Sequence, residues 1–297
     1  MNMRDRLQNS AIRQLLLWLV MVVAGFAVVM LVMVGVGAIK GSVVGGVGFL
    51  RMIQALQTLM LFIVPALCAT WCWTQTPLTE LRLRSLPTRV EAVWVVMLMV
   101  LASPAVNMLA NWNSGLHLPE ALQSLERWMV EQEEAAALLT EQFLQADNVG
   151  GLVRNICLMA LLPALGEELT FRGVLLNICL GKEYSKKRMH LSVWATAALF
   201  SFIHFQFFGF IPRLLLGVMF GYLVIWTGSI WTSMLAHLTN NALAVITYYI
   251  CAHSSLESEA VDAFGTGNTL WVGLLSAVVT AVMLWWLWRL GRRHTGN

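Results

Sequence analysis

The sequence predicts an all-α, polytopic membrane protein of about eight transmembrane helices, with one acidic amphipathic helix at the surface. Three observations carry that prediction. Hydrophobic residues fill 58% of the 297 positions and charged residues only 12%, with a mean hydropathy of +0.71. A soluble domain carries about 25% charged residues, so this chain lacks the polar surface to dissolve, and its apolar content excludes disorder. The apolar residues come in long unbroken runs rather than the ~10-residue alternating segments of a membrane β-barrel.

A crossing needs ~20 apolar residues. That ruler gives eight spans: 14–39, 52–74, 91–110, 149–180, 190–208, 212–227, 230–252 and 269–288, the sixth being the shortest. The basic N-terminus and the first run resemble a signal peptide, but Leu15–Ile39 is too long for one and has no evident cleavage site, so it is expected to stay as a span. Between the third and fourth spans, 111–148 holds Glu120, Glu126, Glu131, Glu133, Glu134, Glu141 and Asp147. Leu118, Leu122, Leu125 and Met129 recur there at helical spacing, and Pro119 suits a first helical turn. An amphipathic helix along the membrane surface is expected. The span 149–180 would reach ~48 Å as one straight helix, against a ~30 Å bilayer core. That excess predicts a bend near Pro163 or an extension into the cytoplasm. The chain thus reads as one integral-membrane domain, 1–297. It comprises three N-terminal spans (14–110), an extracytoplasmic segment (111–148), a polar-marked core (149–252) and a last span (269–288).

Charge placement gives the orientation. With a cytoplasmic N-terminus, the inner segments hold 13 basic residues against 4 acidic ones, and the outer segments 5 basic against 10 acidic. The positive-inside rule counts only Lys and Arg, and it favours both termini inside, in a plasma (cell inner) membrane. The five cysteines, Cys68, Cys72, Cys157, Cys179 and Cys251, all lie in apolar stretches. Free thiols are expected, with neither a disulfide framework nor a CxxC metal site.

Three charges fall on neither surface: Glu167, Glu168 and Arg172. Left unpaired at mid-bilayer they would oppose insertion by roughly 8–10 kcal/mol, so they are expected to face the bundle interior. Neighbouring glutamates on a helix point ~100° apart and cannot both face one substrate. Glu168 and Arg172 are spaced for an ion pair, which leaves Glu167 to act on a water. Both acids could instead mark a helix end near the headgroups, but the apolar run continues through Val174–Leu180. In the next span Phe200 and His204 share a face. Alone, such a histidine is more often a packing residue than a catalyst. In the seventh span His237 and Asn241 lie one turn apart, as a donor pair for an oxyanion or as an interhelical clamp. Together the three clusters supply what amide hydrolysis needs without a covalent intermediate. No GxSxG elbow or HExxH helix supports a serine hydrolase or a zincin, while Glu167, His204 and His237 also make a ligand set for one divalent metal such as zinc.

The motifs EExxxR (Glu167, Glu168, Arg172), FxxxH (Phe200, His204) and HxxxN (His237, Asn241), on separate spans, resemble the CPBP family. These are the CAAX proteases and bacteriocin-processing enzymes, or Abi-type intramembrane proteases. The lead-in Gly228-Ser229-Ile230-Trp231 is also family-like, and the resemblance covers roughly 150–250, making 149–252 the expected catalytic core. It implies an intramembrane endopeptidase in which Glu167 and His204 activate the attacking water. His237 and Asn241 would stabilise the oxyanion, with Glu168, Arg172 and Phe200 as structural support. The family is described both as metal-dependent and as glutamate proteases. Its best-known members trim prenylated CAAX tails, and bacterial relatives are linked to bacteriocin immunity and peptide maturation. Expected partners are a peptide or membrane-protein substrate and the lipid bilayer, with no nucleic acid.

Cleavage is expected in the cytoplasmic half of the bilayer. Two other readings stay open: a non-catalytic immunity or scaffold protein, and a transporter using the same charges as a relay. The second lacks the internal repeat that many carriers show. The GxxxG pair Gly217 and Gly221 allows helix packing either within the chain or between copies. The acidic segment 118–146 reads as a partner-selecting surface or as a solvated face.

Overall fold

The computed structural model describes residues 7, 10–40, 46–256, 260–261 and 263–295. Arg4, Asp5 and Arg6 of the inner charge set, and Glu257, Glu259 and Asp262 of the outer one, lie outside the described residues. Among the described residues the chain is helical with no strand. In order, the helices are α1 (Ala11–Lys40), α2 (Val47–Trp73), α3 (Arg89–Ser114), α4 (Gln123–Leu144) and α5 (Val149–Leu180). They continue as α6 (Lys186–Phe202), α7 (Phe210–Thr227), α8 (Ile230–Ala252) and α9 (Leu270–Thr295).

The expected crossings correspond to all of these except α4. Among the described residues six helical stretches are long and apolar enough to cross a membrane by length and composition alone; α6 and α8 are not among them. The reason is chemical. The 17-residue α6 opens on Lys186-Lys187-Arg188, and α8 carries His237, Asn240 and Asn241 in its middle. The two helices that fall short each carry or adjoin a polar motif, whereas α5 qualifies despite Glu167, Glu168 and Arg172.

Apolar clusters hold the bundle, a small one of Phe171, Leu175 and Phe200 between α5 and α6 and three larger ones. One joins α2, α5 and α8 through Ala66, Ala69, Trp73, Leu169, Val174 and Met234. A second joins α3, α7, α8 and α9 through Leu98, Met99, Phe220, Leu223, Ala236 and Met283. The third joins α5, α6 and α7 through Leu176, Leu180, Val193, Ala197 and Val218. By contrast α1 leaves Ile12, Val20, Val23 and Leu31 largely exposed, as a helix facing lipid must. The GxxxG alternative closes in favour of packing within the chain. A side chain at Gly217 would meet Ala197 Cβ at 3.1 Å, and one at Gly221 would meet Val193 at 3.0 Å, so the pair lets α7 lie against α6.

One sequence expectation needs correction. The fifth span ends at Phe202, not at 208. Phe205 adopts φ 52°, and the chain passes through a short 3₁₀ turn, Phe207–Gly209, into α7. Ser201 Oγ closes the turn by donating to the Phe210 carbonyl at 2.7 Å. Around Pro163 α5 stays helical and adjusts its pitch, with π-helical turns at Ile156–Leu161 and Leu169–Leu175. Proline gives no N–H to the preceding turn, and π turns are a known way to take up such a fault. A matching π turn in α2, Thr58–Ile63, packs on it, with Thr170 Oγ1 donating to the Phe62 carbonyl at 3.1 Å.

The acidic segment does more than lie on a surface. A 3₁₀ turn, Glu120–Leu122, preceded by Pro119, leads into α4. At its far end the Arg51 guanidinium donates to the carbonyls of Gln142, Phe143 and Gln145, and Asn155 Nδ2 donates to that of Leu144 at 2.7 Å. In its middle Trp128 stacks edgewise on Phe205 and tilts against Phe207. The helix is tied across one end of the bundle.

Candidate active site

Glu168 and Arg172 form the centre from which the site is built. Both are fully buried, 0% and 1% exposed, and Arg172 Nη1 donates to Glu168 Oε1 at 2.8 Å across one turn of α5. The other arm of the guanidinium, Nη2, donates to the Gly217 carbonyl at 2.8 Å, which ties α5 to α7. Its plane lies 4.8 Å from the Phe200 ring centre and 5.4 Å from that of Phe220, so the cation has an aromatic ring to either hand. Phe200 thus occupies the supporting position assigned to it, and Phe220 is a second support that sequence spacing did not single out.

The same carboxylate orients the first histidine. His237 Nδ1 lies 2.9 Å from Glu168 Oε1, and its ring stacks on Phe220 at 5.3 Å. Glu168 already accepts from Arg172, so it is ionised and His237 Nδ1 carries the proton. The Nε2 edge therefore points the other way, to 3.8 Å from Glu167 Oε2. His204 sits just past the end of α6, where its Nδ1 donates back to the Phe200 carbonyl at 2.8 Å. Its Nε2 then faces Glu167 Oε2 at 4.0 Å. Each imidazole has one nitrogen fixed by the scaffold and presents the other to the same carboxylate oxygen. That oxygen is buried and has no hydrogen-bond partner.

Asn241 approaches from α8. Its Nδ2 makes a long contact of 3.4 Å to the Met159 carbonyl, which lies one turn before Pro163 and receives no N–H from it. Glu167, His204, His237 and Asn241 line one cavity of about 460 Å³, together with Phe200, Phe220 and Asn240. All the site residues expected from the sequence are brought together.

One residue of the surroundings was not anticipated and one expectation fails. Arg213, counted with the outer segments, lines this cavity, its guanidinium held by the carbonyl and Oε1 of Gln206 at 3.2 and 2.9 Å. The only sequence signal was its position one residue after Pro212 at the mouth of an apolar helix. The expectation that fails is depth: the cavity does not lie toward the basic loops. Its walls include Ala110 near the end of α3, Thr140 and Leu144 of α4, and Gln206 and Gly209 of the α6–α7 turn. Those groups belong to the bundle end that carries the acidic segment. The expectation came from counting residues along α5 alone; the short α6, which ends before completing its crossing, leaves the depth on that side open.

Fold and site together define a multi-pass helical membrane protein with a buried Glu, His, His and Asn cluster. Residues 150–243, which hold all three motifs, match the family described as Type II CAAX prenyl endopeptidase Rce1-like. This bears out the CPBP resemblance over α5 to the middle of α8, about a third of the chain. No curated protein and no solved structure matches the chain.

Proposed function

We propose that the protein is an intramembrane endopeptidase that hydrolyses a peptide bond with a water activated by Glu167 and His204. The observation that carries this reading is the unpartnered Glu167 Oε2, buried on the cavity wall and faced by two imidazole Nε2 atoms at 3.8 and 4.0 Å. Those separations are too long for direct hydrogen bonds and suit groups that share a small molecule between them. A water there donates one hydrogen to Glu167 Oε2 and the other to His204 Nε2. As its oxygen bonds to the scissile carbonyl carbon, its proton passes to Glu167. The carbonyl oxygen, now anionic, accepts from Asn241 Nδ2–H, and His237, whose Nδ1–H is committed to Glu168, keeps its Nε2 edge turned to Glu167 beside it. Collapse breaks the C–N bond, and Glu167 returns the proton to the departing amine.

The same donors fit a divalent metal in kind: Glu167 Oε2, His204 Nε2 and His237 Nε2 would hold it, and the Nδ1 contacts to Glu168 and to the Phe200 carbonyl are of the sort that orient metal-bound imidazoles. Among the described residues no three His, Cys, Asp or Glu side chains are drawn into a formed metal site. A bound ion would polarise the scissile carbonyl and acidify water. Metal content measured on purified protein, before and after His204→Ala, decides between the two.

The activity test is direct. Glu167→Ala and His204→Ala should each lower cleavage by ~10²-fold or more while the protein stays inserted and folded. Comparative peptidomics of cells carrying the wild type or Glu167→Ala should identify the substrate. Undiminished cleavage in Glu167→Ala, or a biological role indifferent to it, would favour the non-catalytic immunity or scaffold reading.

A further inference from the structure

A second cavity, of about 550 Å³, lies at the opposite end of the bundle from the catalytic one, whose volume is about 460 Å³. It is walled by the start of α1, the turn between α2 and α3, and the loop between α5 and α6. Arg82, Lys182 and Arg188 line it, with Tyr184 and Gln14, and Glu80 is the one carboxylate among the described lining residues. We propose that this cavity binds the phosphate headgroup of an anionic phospholipid.

The cations are built into place. Arg82 holds a left-handed backbone, φ 55°, a costly conformation for a residue with a side chain. The turn is fixed by Arg82 N–H donating to the Thr79 carbonyl at 3.0 Å and by Ile230 N–H donating to the Arg82 carbonyl at 3.3 Å. In this conformation one guanidinium arm reaches the Val224 carbonyl at 3.2 Å. Burial pulls the Arg82 pKa below its ordinary value, with Tyr184, which it also hydrogen-bonds, and Glu80 drawing it back up. Arg188 is placed by a different device. Gly181 turns at φ 70°, and a side chain there would come within 3.1 Å of the Arg188 guanidinium; its absence lets Arg188 fold over the end of α5, where Nε donates to the Cys179 carbonyl at 2.8 Å.

Both arginines also serve the scaffold, yet each carries five donors in a planar fork, and one carbonyl does not exhaust it. Capping alone needs no cavity. Here three cations surround a space large enough for a phosphodiester, at the end of the bundle that also carries Arg84, Arg89, Lys186 and Lys187. Its apolar edge is formed by Ala11, Ile178 and Leu180, and α1 continues outward with Ile12 and Leu16 at 71% and 56% exposure, a lane for acyl chains. Basic pockets between membrane helices at the headgroup level bind anionic lipids in this manner.

Free inorganic phosphate offers the same head chemistry, so the test separates the two. Full-length protein in neutral detergent is titrated with short-chain phosphatidylglycerol, with short-chain phosphatidylcholine and with sodium phosphate, reading bound ligand by native mass spectrometry and the thermal midpoint. Phosphatidylglycerol should bind and raise the midpoint, with Lys182→Gln and Arg188→Gln each weakening it about five-fold. These two variants leave the Arg82 turn intact, and Glu167→Ala should bind as wild type does. Equal binding of phosphatidylcholine, unchanged binding in the Lys182→Gln/Arg188→Gln double variant, or protection by sodium phosphate equal to that by the lipid would overturn the proposal.

Discussion

Arg172 shows how one residue holds the site without touching a substrate. Removing a guanidinium from water costs several kcal/mol, and here the cost is met by Glu168, the Gly217 carbonyl and two aromatic faces. Arg172→Met would strand the Glu168 charge in the core, a loss of ~3–5 kcal/mol. Glu167→Gln breaks no buried pair. Thermal unfolding should therefore fall steeply for Arg172→Met and stay within ~1 kcal/mol of wild type for Glu167→Gln, although both lose activity. Similar stability losses in the two variants would mean that Glu167 also belongs to the scaffold. The division between the adjacent acids was legible in the sequence because helix geometry forces them apart by ~100°. Phe220 was not legible. It reaches Arg172 and His237 from another helix, and no local spacing encodes that contact.

At the scale of elements, six of the eight expected crossings are, among the described residues, helices long and apolar enough to span, with ends displaced by a few residues; α6 and α8 are the other two. The fifth was overrun. Phe202, Phe205, Phe207 and Phe208 keep the run apolar past the point where the helix stops, and hydropathy does not distinguish lipid from an aromatic cluster. The acidic segment was read correctly as a helix, but its docking depends on Arg51 and Asn155, more than ten residues away in sequence for each contact. Arg51 meets the last carbonyls of α4, where both hydrogen bonding and the helix dipole favour a cation. Arg51→Ala should cost ~1–2 kcal/mol locally and release the end of α4 rather than unfold the bundle. Hydrogen exchange would show this as faster exchange across 138–146 with α5 unchanged. Uniform acceleration through α5 would show instead that the tie is global.

For the whole molecule, the two ends of the bundle carry opposite chemistry. The basic turns at 82–89 and 182–188 lie at one end, and α4 with its glutamates lies at the other, beside the mouth of the catalytic cavity. On the positive-inside rule the basic end is expected in the cytoplasm and the mouth beside Thr140 and Leu144 on the extracytoplasmic side. Sorting charges by side counted Arg213 with the outer segments but did not show that it lines the cavity at that end. The orientation can be measured. In a variant lacking the five native cysteines, Thr140→Cys should react with a membrane-impermeant thiol reagent in intact cells. Lys187→Cys should react only after the membrane is opened. The reverse pattern would place the mouth in the cytoplasm and show that the basic loops do not set this topology. With the expected pattern, a substrate must present its scissile bond from the outer side, past α4, so that secreted peptides and the outward segments of membrane proteins are the pool in which peptidomics should find it.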